Sequence, residues 1–324
     1  MRRYPAGLPV PTINFGGGTP SLLAPADLGR VILATRSWFA VDADAEVTIE
    51  ANPEGLDQAY FEAIQYVGVN RLSFGVQSFH APELAMLTRR HSAEQALRAF
   101  RAARAAGFDN VSLDFMYGLP GQTLDVWRAT LDQALDLAPD HLSLYGLTVY
   151  DHLPLGRQVA RGDLPAQDAD LMADMYELAC ELLASAGYAQ YEISNWAREP
   201  RFQCRHNLIY WRNSGYIGLG AGAHSSFSGR RYANEPKPVA YIERATTGAP
   251  LEAESEPVSS ELARAETAIL GLRLNEGITL TPSELAKLAD PFAANLLELD
   301  GDVARLTPKG RLLSNEVFWR LLPD

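Results

Sequence analysis

The stretch that decides the fold is TINFGGGTPSLLAPADLGRVILATRSWF, residues 12–39. A short β-rich run leads into a glycine-rich loop, and a segment with apolar residues at helical spacing follows it. The same order recurs along the chain, with further β-rich runs that begin at Ala45, Arg71, Val111 and His141. Alternation of strand and helix produces a parallel sheet with right-handed crossovers, and the spacing leaves open whether that sheet closes into a barrel.

Polar residues collect at the carboxyl ends of these runs, where ligands of α/β proteins bind. The glycines that follow the first strand let a ligand approach the backbone, because no Cβ atom blocks it. A tight turn without function is the alternative interpretation of this loop. The other polar residues at strand ends are Glu50, Asn52, Gln77, Asp114, Tyr117 and Thr148. The sequence therefore predicts a ligand site at this edge of the sheet.

Composition and charge limit the classes of function. The chain has 324 residues and a formal net charge of −12, which argues against broad binding to nucleic acids or anionic membranes. Its N-terminus has no apolar run behind the basic residues, and no run of about 18 apolar residues indicates a membrane span. The two cysteines, Cys180 and Cys204, exclude a disulfide framework and fit a reducing cytosol. We therefore predict a cytoplasmic protein that is not integral to a membrane.

The pattern changes after the fifth strand. A helical segment leads into AQYEISNWA and CRHNLIYWRNSGYIGLGAGAHSSF, and a segment rich in Pro, Glu and Ser follows. We predict a barrel-like domain that includes these motifs over residues 1–228, a linker over 229–258 and a small, mainly helical domain over 259–324. A short strand and turn before the last helix make this third part resemble a winged helix, which alone does not imply DNA binding.

Seven motifs make the chain similar to a known family. They are FGGGTPSLL, EANPEGL, RLSFGVQSF, LDFMYGLPGQT, YEISNWA, HNLIYW and LTPKGRLLSN. Together they resemble the HemN/HemW group of radical S-adenosylmethionine (SAM) proteins, which contains oxygen-independent coproporphyrinogen III oxidases of porphyrin biosynthesis and their haem-chaperone relatives. HNLIYW favours the chaperone branch. The resemblance implies an α/β fold, namely an incomplete, TIM-like (βα) barrel that lacks its first βα unit, followed by a winged-helix-like C-terminal domain.

The resemblance also implies a SAM site. The family's glycine loop contacts the methionine end of SAM, and it corresponds here to Gly17, Gly18 and Thr19. Further SAM-binding side chains of the family correspond to Glu50, Gln77, Arg89 and Asp114. These residue types suit the ligand, because carboxylates bind an ammonium group or ribose hydroxyls and a guanidinium binds a carboxylate. Arg89 alone could equally form a surface ion pair.

The chain departs from the family at the iron–sulfur cluster. The resemblance implies a [4Fe–4S] cluster held by a Cys-x3-Cys-x2-Cys loop upstream of the glycine loop, and the sequence contains no such motif. A misplaced start or a fragment is our expectation for this difference, and a genuinely shortened protein is the alternative. Without three thiolates, we expect the chain as given neither to hold the cluster nor to cleave SAM reductively.

The segment CRHNLIYW carries the expected haem site. His206 is the candidate ligand of the haem iron, and Tyr210 and Trp211 offer flat apolar surface to the macrocycle. From the residues alone, a second interpretation is that His206 and Asn207 hydrogen-bond a loop while the two aromatic residues pack the open end of the barrel. The resemblance favours haem. Cys204 and His224 are alternative ligands, whereas the other four histidines lack a comparable context.

Three functions remain as hypotheses. The first is a haem chaperone that delivers haem to haem-requiring respiratory proteins and meets membranes only through such acceptors. The second is a coproporphyrinogen oxidase-like radical SAM enzyme, which needs the N-terminal cysteine segment. The third is a cluster-free module that binds SAM or another small molecule. The HNLIYW motif favours the first.

Overall fold

A computed structural model describes residues 4–323, and these residues form two compact units. The units divide between Gln203 and Cys204. The N-terminal unit contains the repeated strand–helix pattern with the glycine loop, and the C-terminal unit contains the HNLIYW motif.

The N-terminal unit is built on one sheet. Within residues 4–203 its strands are β1 (Pro9–Phe15), β2 (Ala40–Ala51), β3 (Arg71–Gln77), β4 (Val111–Tyr117), β5 (His141–Gly146), β6 (Ala189–Glu192) and β7 (Asn195–Ala197). They form a curled half-barrel in the order β1-β2-β3-β4-β5-β7-β6. Strands β1 to β5 pair in parallel, and β7 pairs antiparallel with β5 and β6. The predicted α/β fold with an incomplete barrel is confirmed.

Helices join the strands of this sheet. They are α1 (Pro25–Trp38), α2 (Gln58–Tyr66), α3 (Ala81–Met86), α4 (Ala93–Ala105), α5 (Leu124–Asp136), α6 (Pro154–Ala160) and α7 (Ala169–Ser185). Several begin at a side chain that accepts hydrogen bonds from the amides of the first turn. Asp57, Thr123 and Asp168 cap α2, α5 and α7, and Ser92 forms a capping box at α4. These caps fix the residue at which each of these helices begins.

The two faces of the sheet differ in polarity. Phe74 of β3 is buried on one face, and the ring of Phe61 from α2 packs edge-to-face on it, with the ring centroids 5.8 Å apart. Ser73 lies on the opposite face, because side chains alternate along a strand. It pairs in register with Ser112 of β4, which in turn pairs with His141 of β5. The helices therefore cover an apolar face, and the other face carries a row of polar side chains.

The first part of the C-terminal unit contains a small antiparallel sheet. Its elements are α8 (Arg205–Trp211), β8 (His224–Phe227), β9 (Arg230–Asn234), α9 (Pro238–Thr247) and β10 (Glu252–Pro257), and the strand order is β10-β9-β8. The segment 229–258, predicted as a linker, therefore contains two strands and a helix. Its Glu, Ser and Pro residues supply the exposed edge strand β10 and the start of α9 rather than an irregular connection.

The second part of the C-terminal unit has the element order of a winged helix. The elements are α10 (Ser260–Arg273), β11 (Ile278–Thr279), α11 (Pro282–Lys287), α12 (Ala289–Ala293), β12 (Leu297–Asp300), β13 (Val303–Leu306), α13 (Pro308–Leu312) and α14 (Ser314–Phe318). Strand β13 pairs antiparallel with both β11 and β12. This order of helices and strands agrees with the winged-helix-like domain that the sequence predicts.

The position of α8 explains why the compact units differ from the predicted domains. Asn213, just after α8, donates its side-chain amide to the Ala263 carbonyl at 3.2 Å and to the Thr267 hydroxyl at 3.0 Å, both on α10. These bonds join residues about 50 positions apart, so composition along the sequence does not indicate them. The structure thus groups the HNLIYW motif with the C-terminal residues rather than with the sheet of residues 4–203.

Replacing Trp127 should destabilise the N-terminal unit. Its side chain is fully buried, its ring centroid lies 5.7 Å from that of Tyr117, and its Nε1 donates to the Met175 carbonyl at 2.9 Å. We expect Trp127→Ala to lower the free energy of unfolding by about 3–5 kcal/mol and Trp127→Phe by about 1–2 kcal/mol. Urea unfolding followed by far-UV circular dichroism measures both changes. A Trp127→Ala variant as stable as the wild type would contradict this packing.

Candidate functional site

The glycine loop follows β1, and its three glycines have different surroundings. A Cβ atom on Gly16 would lie 2.8 Å from Oε1 of Glu50 and 2.9 Å from Nδ2 of Asn14, so both side chains would have to shift. Gly17 and Gly18 have φ angles of +75° and +59°, which residues with a side chain rarely adopt. A Cβ atom on either would meet no heavy atom of the described residues within 4 Å. The loop backbone therefore borders open space, as a ligand cradle requires.

The loop is tied to the carboxyl end of β2. The Gly17 amide donates to Oε2 of Glu50 at 3.3 Å, and the Asn52 amide donates to the Ser21 hydroxyl at 3.2 Å. Thr19 precedes the short 3₁₀ helix Pro20–Leu22, and within residues 4–323 its side chain does not cap this helix. The structure thus places Gly17, Gly18, Thr19 and Glu50 together, as the sequence predicts.

Asp114 lies on the polar face of β4 among hydroxyl donors. The Ser73 hydroxyl donates to Oδ2 at 2.7 Å and the Ser112 hydroxyl to Oδ1 at 3.0 Å, and Ser143 also bonds the carboxylate. Three neighbouring strands contribute these serines, because the parallel register brings their polar positions into one row. The carboxylate is therefore held in one orientation.

The charged forms of two carboxylates at this edge are disfavoured. Burial raises the pKa of Asp114, although hydrogen bonds from the serine hydroxyls oppose the rise. Burial also raises the pKa of Glu50; the Gly17 amide opposes this rise, and the charge of Asp114 adds to it. A cationic group bound between the two carboxylates would offset both the desolvation and the repulsion. The arrangement therefore suits a ligand that carries an ammonium or another cation.

Gln77 ends β3 in a strained backbone conformation. Its φ is +69°, and the Ser78 amide donates to the Val76 carbonyl at 2.9 Å, which defines a γ-turn of the rare positive-φ form. The Gln77 side chain lies over Gly75, since its Nε2 is 3.0 Å from the position of a Cβ built there. Gly75 pairs in register with Asp114. Strain of this kind costs about 1–3 kcal/mol and is found at functional sites, where it orients a side chain.

Arg89 offers a guanidinium group near the same loops. Its side chain is exposed, and among the described residues it takes part in no ion pair, so the alternative of a surface ion pair is not what the structure shows. Desolvation by neighbouring groups nevertheless lowers the pKa of Arg89. A carboxylate on a ligand would supply the anionic partner that the described part of the chain does not provide.

Two polar residues of this region were not selected as site residues from the sequence. His91 is buried, with Nδ1 3.0 Å from Oδ1 of Asn52 and Nε2 3.0 Å from the Val76 carbonyl. Asn52 was noted as a strand-end residue, and His91 was set aside because no motif of ligand-binding residues surrounds it. Its partner is a backbone carbonyl, which leaves no mark in the residue pattern.

Tyr117 ends β4 but does not join the site. Its ring centroid lies 5.7 Å from that of Trp127 and 6.4 Å from that of Tyr176. Burial raises the pKa of Tyr117 to about 12. The side chain therefore belongs to the core between the sheet and its helices.

The HNLIYW motif forms α8, and its first and fifth residues interact directly. Nε2 of His206 lies 3.0 Å from the Tyr210 hydroxyl, since positions i and i+4 share a helix face. The Tyr210 ring also packs edge-to-face against Tyr216, with the ring centroids 4.7 Å apart. All three side chains are partly exposed. His206, Tyr210 and Tyr216 thus form a small aromatic group that presents an imidazole, and we call it the His206 group.

Trp211 packs on another part of the C-terminal unit. The guanidinium of Arg273 from α10 lies 4.2 Å from the centroid of the indole, and the Trp211 Nε1 is buried without a hydrogen-bond partner among the described residues. One face of the indole is therefore covered. The predicted contact between Trp211 and a macrocycle would therefore have to use the other face of the indole.

The sequence has two cysteines, one fewer than the three of a Cys-x3-Cys-x2-Cys motif. Cys180 lies on α7 in the N-terminal unit, whereas the buried Cys204 begins the C-terminal unit. Within residues 4–323 no group of three or more His, Cys, Asp or Glu side chains is arranged to hold a metal ion. In the same range, no helix is long and apolar enough to cross a membrane.

Removing the charge of Asp114 should stabilise the fold at neutral pH. A carboxyl group whose pKa is raised on folding makes the folded state less stable as pH rises above the unfolded value of 3.8. We expect Asp114→Asn to unfold at a higher temperature than the wild type at pH 7 and to lose this advantage below pH 3.8, where the wild-type carboxyl is also neutral. Differential scanning calorimetry across this pH range tests the prediction. A lower melting temperature for the variant at pH 7 would show that the serine hydrogen bonds outweigh burial.

Comparison with known proteins, by sequence and by fold, agrees with the resemblance to radical SAM proteins that the motifs indicate. Residues 1–134 match the Radical SAM superfamily. The haem chaperone HemW of Mycobacterium tuberculosis is 39% identical over 317 residues, which are 97% of this chain and 81% of the relative. HemW of Bacillus subtilis is 35% identical, with 97% of this chain and 86% of the relative covered.

A solved structure supports the fold. The coproporphyrinogen III oxidase HemN of Escherichia coli, described as a radical SAM enzyme, superposes with a TM-score of 0.83 over 97% of this chain and 78% of that one. At a sequence identity of 24%, this similarity shows a shared fold and no more. The identities with the haem chaperones are higher and span nearly the whole chain. The chain therefore belongs to the HemW family of radical SAM proteins.

Proposed function

We propose that this protein is a haem chaperone of the HemW type. The observation that carries the proposal is the His206 group on α8, where an imidazole and two aromatic rings share one partly exposed surface. Relatives that are 33–39% identical over 97% of the chain are named haem chaperones. The coproporphyrinogen oxidase alternative rests on the likeness of fold to HemN, which does not extend to activity.

The chemistry of the His206 group suits haem as cargo. Imidazole is a good ligand of haem iron, and aromatic rings pack against the apolar face of the macrocycle. Ligation at Nε2 of His206 displaces the Tyr210 hydroxyl from its position 3.0 Å away. Cys204 is buried and is therefore a poorer candidate, whereas the exposed His224 on β8 remains an alternative ligand.

The site at the strand ends suits SAM. The open backbone at Gly17 and Gly18, the carboxylates of Glu50 and Asp114, and the guanidinium of Arg89 match an aminoacyl group that carries both charges. SAM is held there by the protein's own residues in our proposal, with Gln77 oriented by its γ-turn. The proposal covers binding of SAM and not its cleavage, because the given sequence contains no Cys-x3-Cys-x2-Cys motif.

The proposed partners follow from the cargo. Haem-requiring proteins, including those of respiratory chains, are the acceptors in this proposal, and contact with a membrane occurs only through them. The net charge of −12 disfavours nucleic acid as a partner. A cytoplasmic location accords with a sequence that has two cysteines and therefore no disulfide framework.

Haem titration tests the ligand. We expect the wild type to develop a shifted Soret band, and His206→Ala to lose most of that shift. Binding should weaken in acid, because a protonated imidazole has no lone pair for iron. His224→Ala and Cys204→Ser are the matched controls, and both should retain the band.

A second variant separates ligation from packing. Tyr210→Phe keeps the ring but removes the hydroxyl that lies 3.0 Å from Nε2 of His206, so it should bind haem at least as tightly as the wild type. A loss of the Soret shift in Tyr210→Phe, or its retention in His206→Ala, would overturn the assignment of His206.

Substitution of Gly17 tests the SAM site. Gly17→Ala places a methyl group in the open space of the loop, and calorimetry should show SAM binding to be lost. Gly187→Ala is the control, because Gly187 also has a positive φ, of +83°, and open space around it, but lies before β6. Both variants place an alanine in a positive-φ conformation, which lowers the free energy of unfolding by about 1–2 kcal/mol in each. Equal SAM affinity in the two variants would show that the glycine loop is only a turn.

A further inference from the structure

His91 joins the loops that follow three different strands. Its Nε2 lies 3.0 Å from the Val76 carbonyl at the end of β3, and its Nδ1 lies 3.0 Å from the side chain of Asn52 at the end of β2. The Asn52 amide in turn donates to Ser21, in the 3₁₀ helix after the glycine loop. His91 itself is 3% exposed, and its hydrogen bond to the Val76 carbonyl is buried.

The protonation of His91 follows from its partners. A backbone carbonyl only accepts, so Nε2 carries the hydrogen and donates to Val76. Burial lowers the pKa of His91, which makes the neutral ring the stable form and leaves a lone pair on Nδ1. A neutral ring accepts a hydrogen bond at Nδ1, so we assign the NH₂ group of Asn52, rather than its oxygen, to the position 3.0 Å from Nδ1. One neutral tautomer thus fixes the orientation of Asn52.

The Val76 carbonyl also belongs to the γ-turn of Gln77. It accepts the Ser78 amide at 2.9 Å, which closes the turn, and it accepts Nε2 of His91 at 3.0 Å. A positive-φ γ-turn at a residue with a side chain persists only where its surroundings determine it. The hydrogen bond from His91 holds the carbonyl in the plane that the turn needs.

We propose that His91 is a positioning residue that holds the γ-turn of Gln77 and the amide of Asn52 in the geometry of the ligand site. This inference rests on the SAM site proposed above. His91 does not touch the ligand in this arrangement, and it acts through Gln77 and Asn52.

Three variants test the role. His91→Gln supplies a donor for the Val76 carbonyl and an acceptor for the Asn52 amide, so it reproduces both hydrogen bonds. His91→Ala supplies neither. Trp127→Phe lies in the core outside the site and controls for a general loss of stability.

Two measurements on the full chain distinguish positioning from stability. We expect SAM affinity, measured by calorimetry, to fall at least about tenfold in His91→Ala, the scale of one lost hydrogen bond, and to stay close to the wild type in His91→Gln and Trp127→Phe. Without ligand, hydrogen–deuterium exchange at the Ser78 amide should accelerate in His91→Ala only.

The outcomes also separate this inference from the proposed function. A wild type that fails to bind SAM refutes the SAM site, and exchange at Ser78 then decides alone whether His91 holds the turn. If the wild type binds SAM and His91→Ala binds it equally well, His91 is not a positioning residue. Unchanged exchange at Ser78 in His91→Ala, or equal losses in His91→Ala and Trp127→Phe, would likewise overturn the proposal.

Discussion

Parallel pairing of β1 to β5 is the constraint on which the candidate site depends. The register joins Phe15 to Ile49, Ala51 to Phe74 and Gln77 to Phe115, so consecutive strands end within a few residues of one another. Parallel strands have their carboxyl ends at one edge of the sheet. The glycine loop and the side chains that follow each strand therefore lie close together, and this does not depend on the sequence of the connecting helices. The polar row across β3, β4 and β5 arises from the same register, and it delivers three serine hydroxyls to Asp114.

This edge of the sheet is energetically costly before a ligand binds. Gly17 and Gly18 adopt positive φ, Gln77 adopts it without being a glycine, and the pKa values of two neighbouring carboxylates are raised. The structure compensates with hydrogen bonds from serines, from loop amides and from a buried histidine. A ligand with a cationic and an anionic group would remove most of the remaining electrostatic cost. These features lower the stability of this edge, and in our proposal the binding of SAM restores part of that stability.

Much of the fold was predictable from sequence, and part of the site was not. Strand–helix alternation predicted the parallel sheet, and the family motifs predicted that Gly17, Glu50 and Asp114 would meet. The reason for Gly16 was not predictable, because it depends on contact with the Glu50 side chain on another strand. His91 was missed because it bonds to the Val76 carbonyl. Every residue has a backbone carbonyl, so such a partner cannot be recognised from the sequence. The predicted boundary at residue 228 also differs from the compact units, since the bonds of Asn213 to α10 span a long separation in sequence.

The His206 group differs from the strand-end site in the kind of binding that it supports. Hydrogen bonds from serine hydroxyls and a loop amide hold the carboxylates of the strand-end site, whereas His206 lies on a short helix of seven residues with no buried side chain. Its Nε2 is engaged by the Tyr210 hydroxyl, so iron must compete with a hydrogen bond for the ligand atom. Such competition lowers the affinity for haem, since part of the binding free energy replaces an interaction that already exists. For a protein that stores haem this would be a disadvantage. For the proposed chaperone it is a suitable property, because Tyr210 can return to His206 as haem leaves for an acceptor.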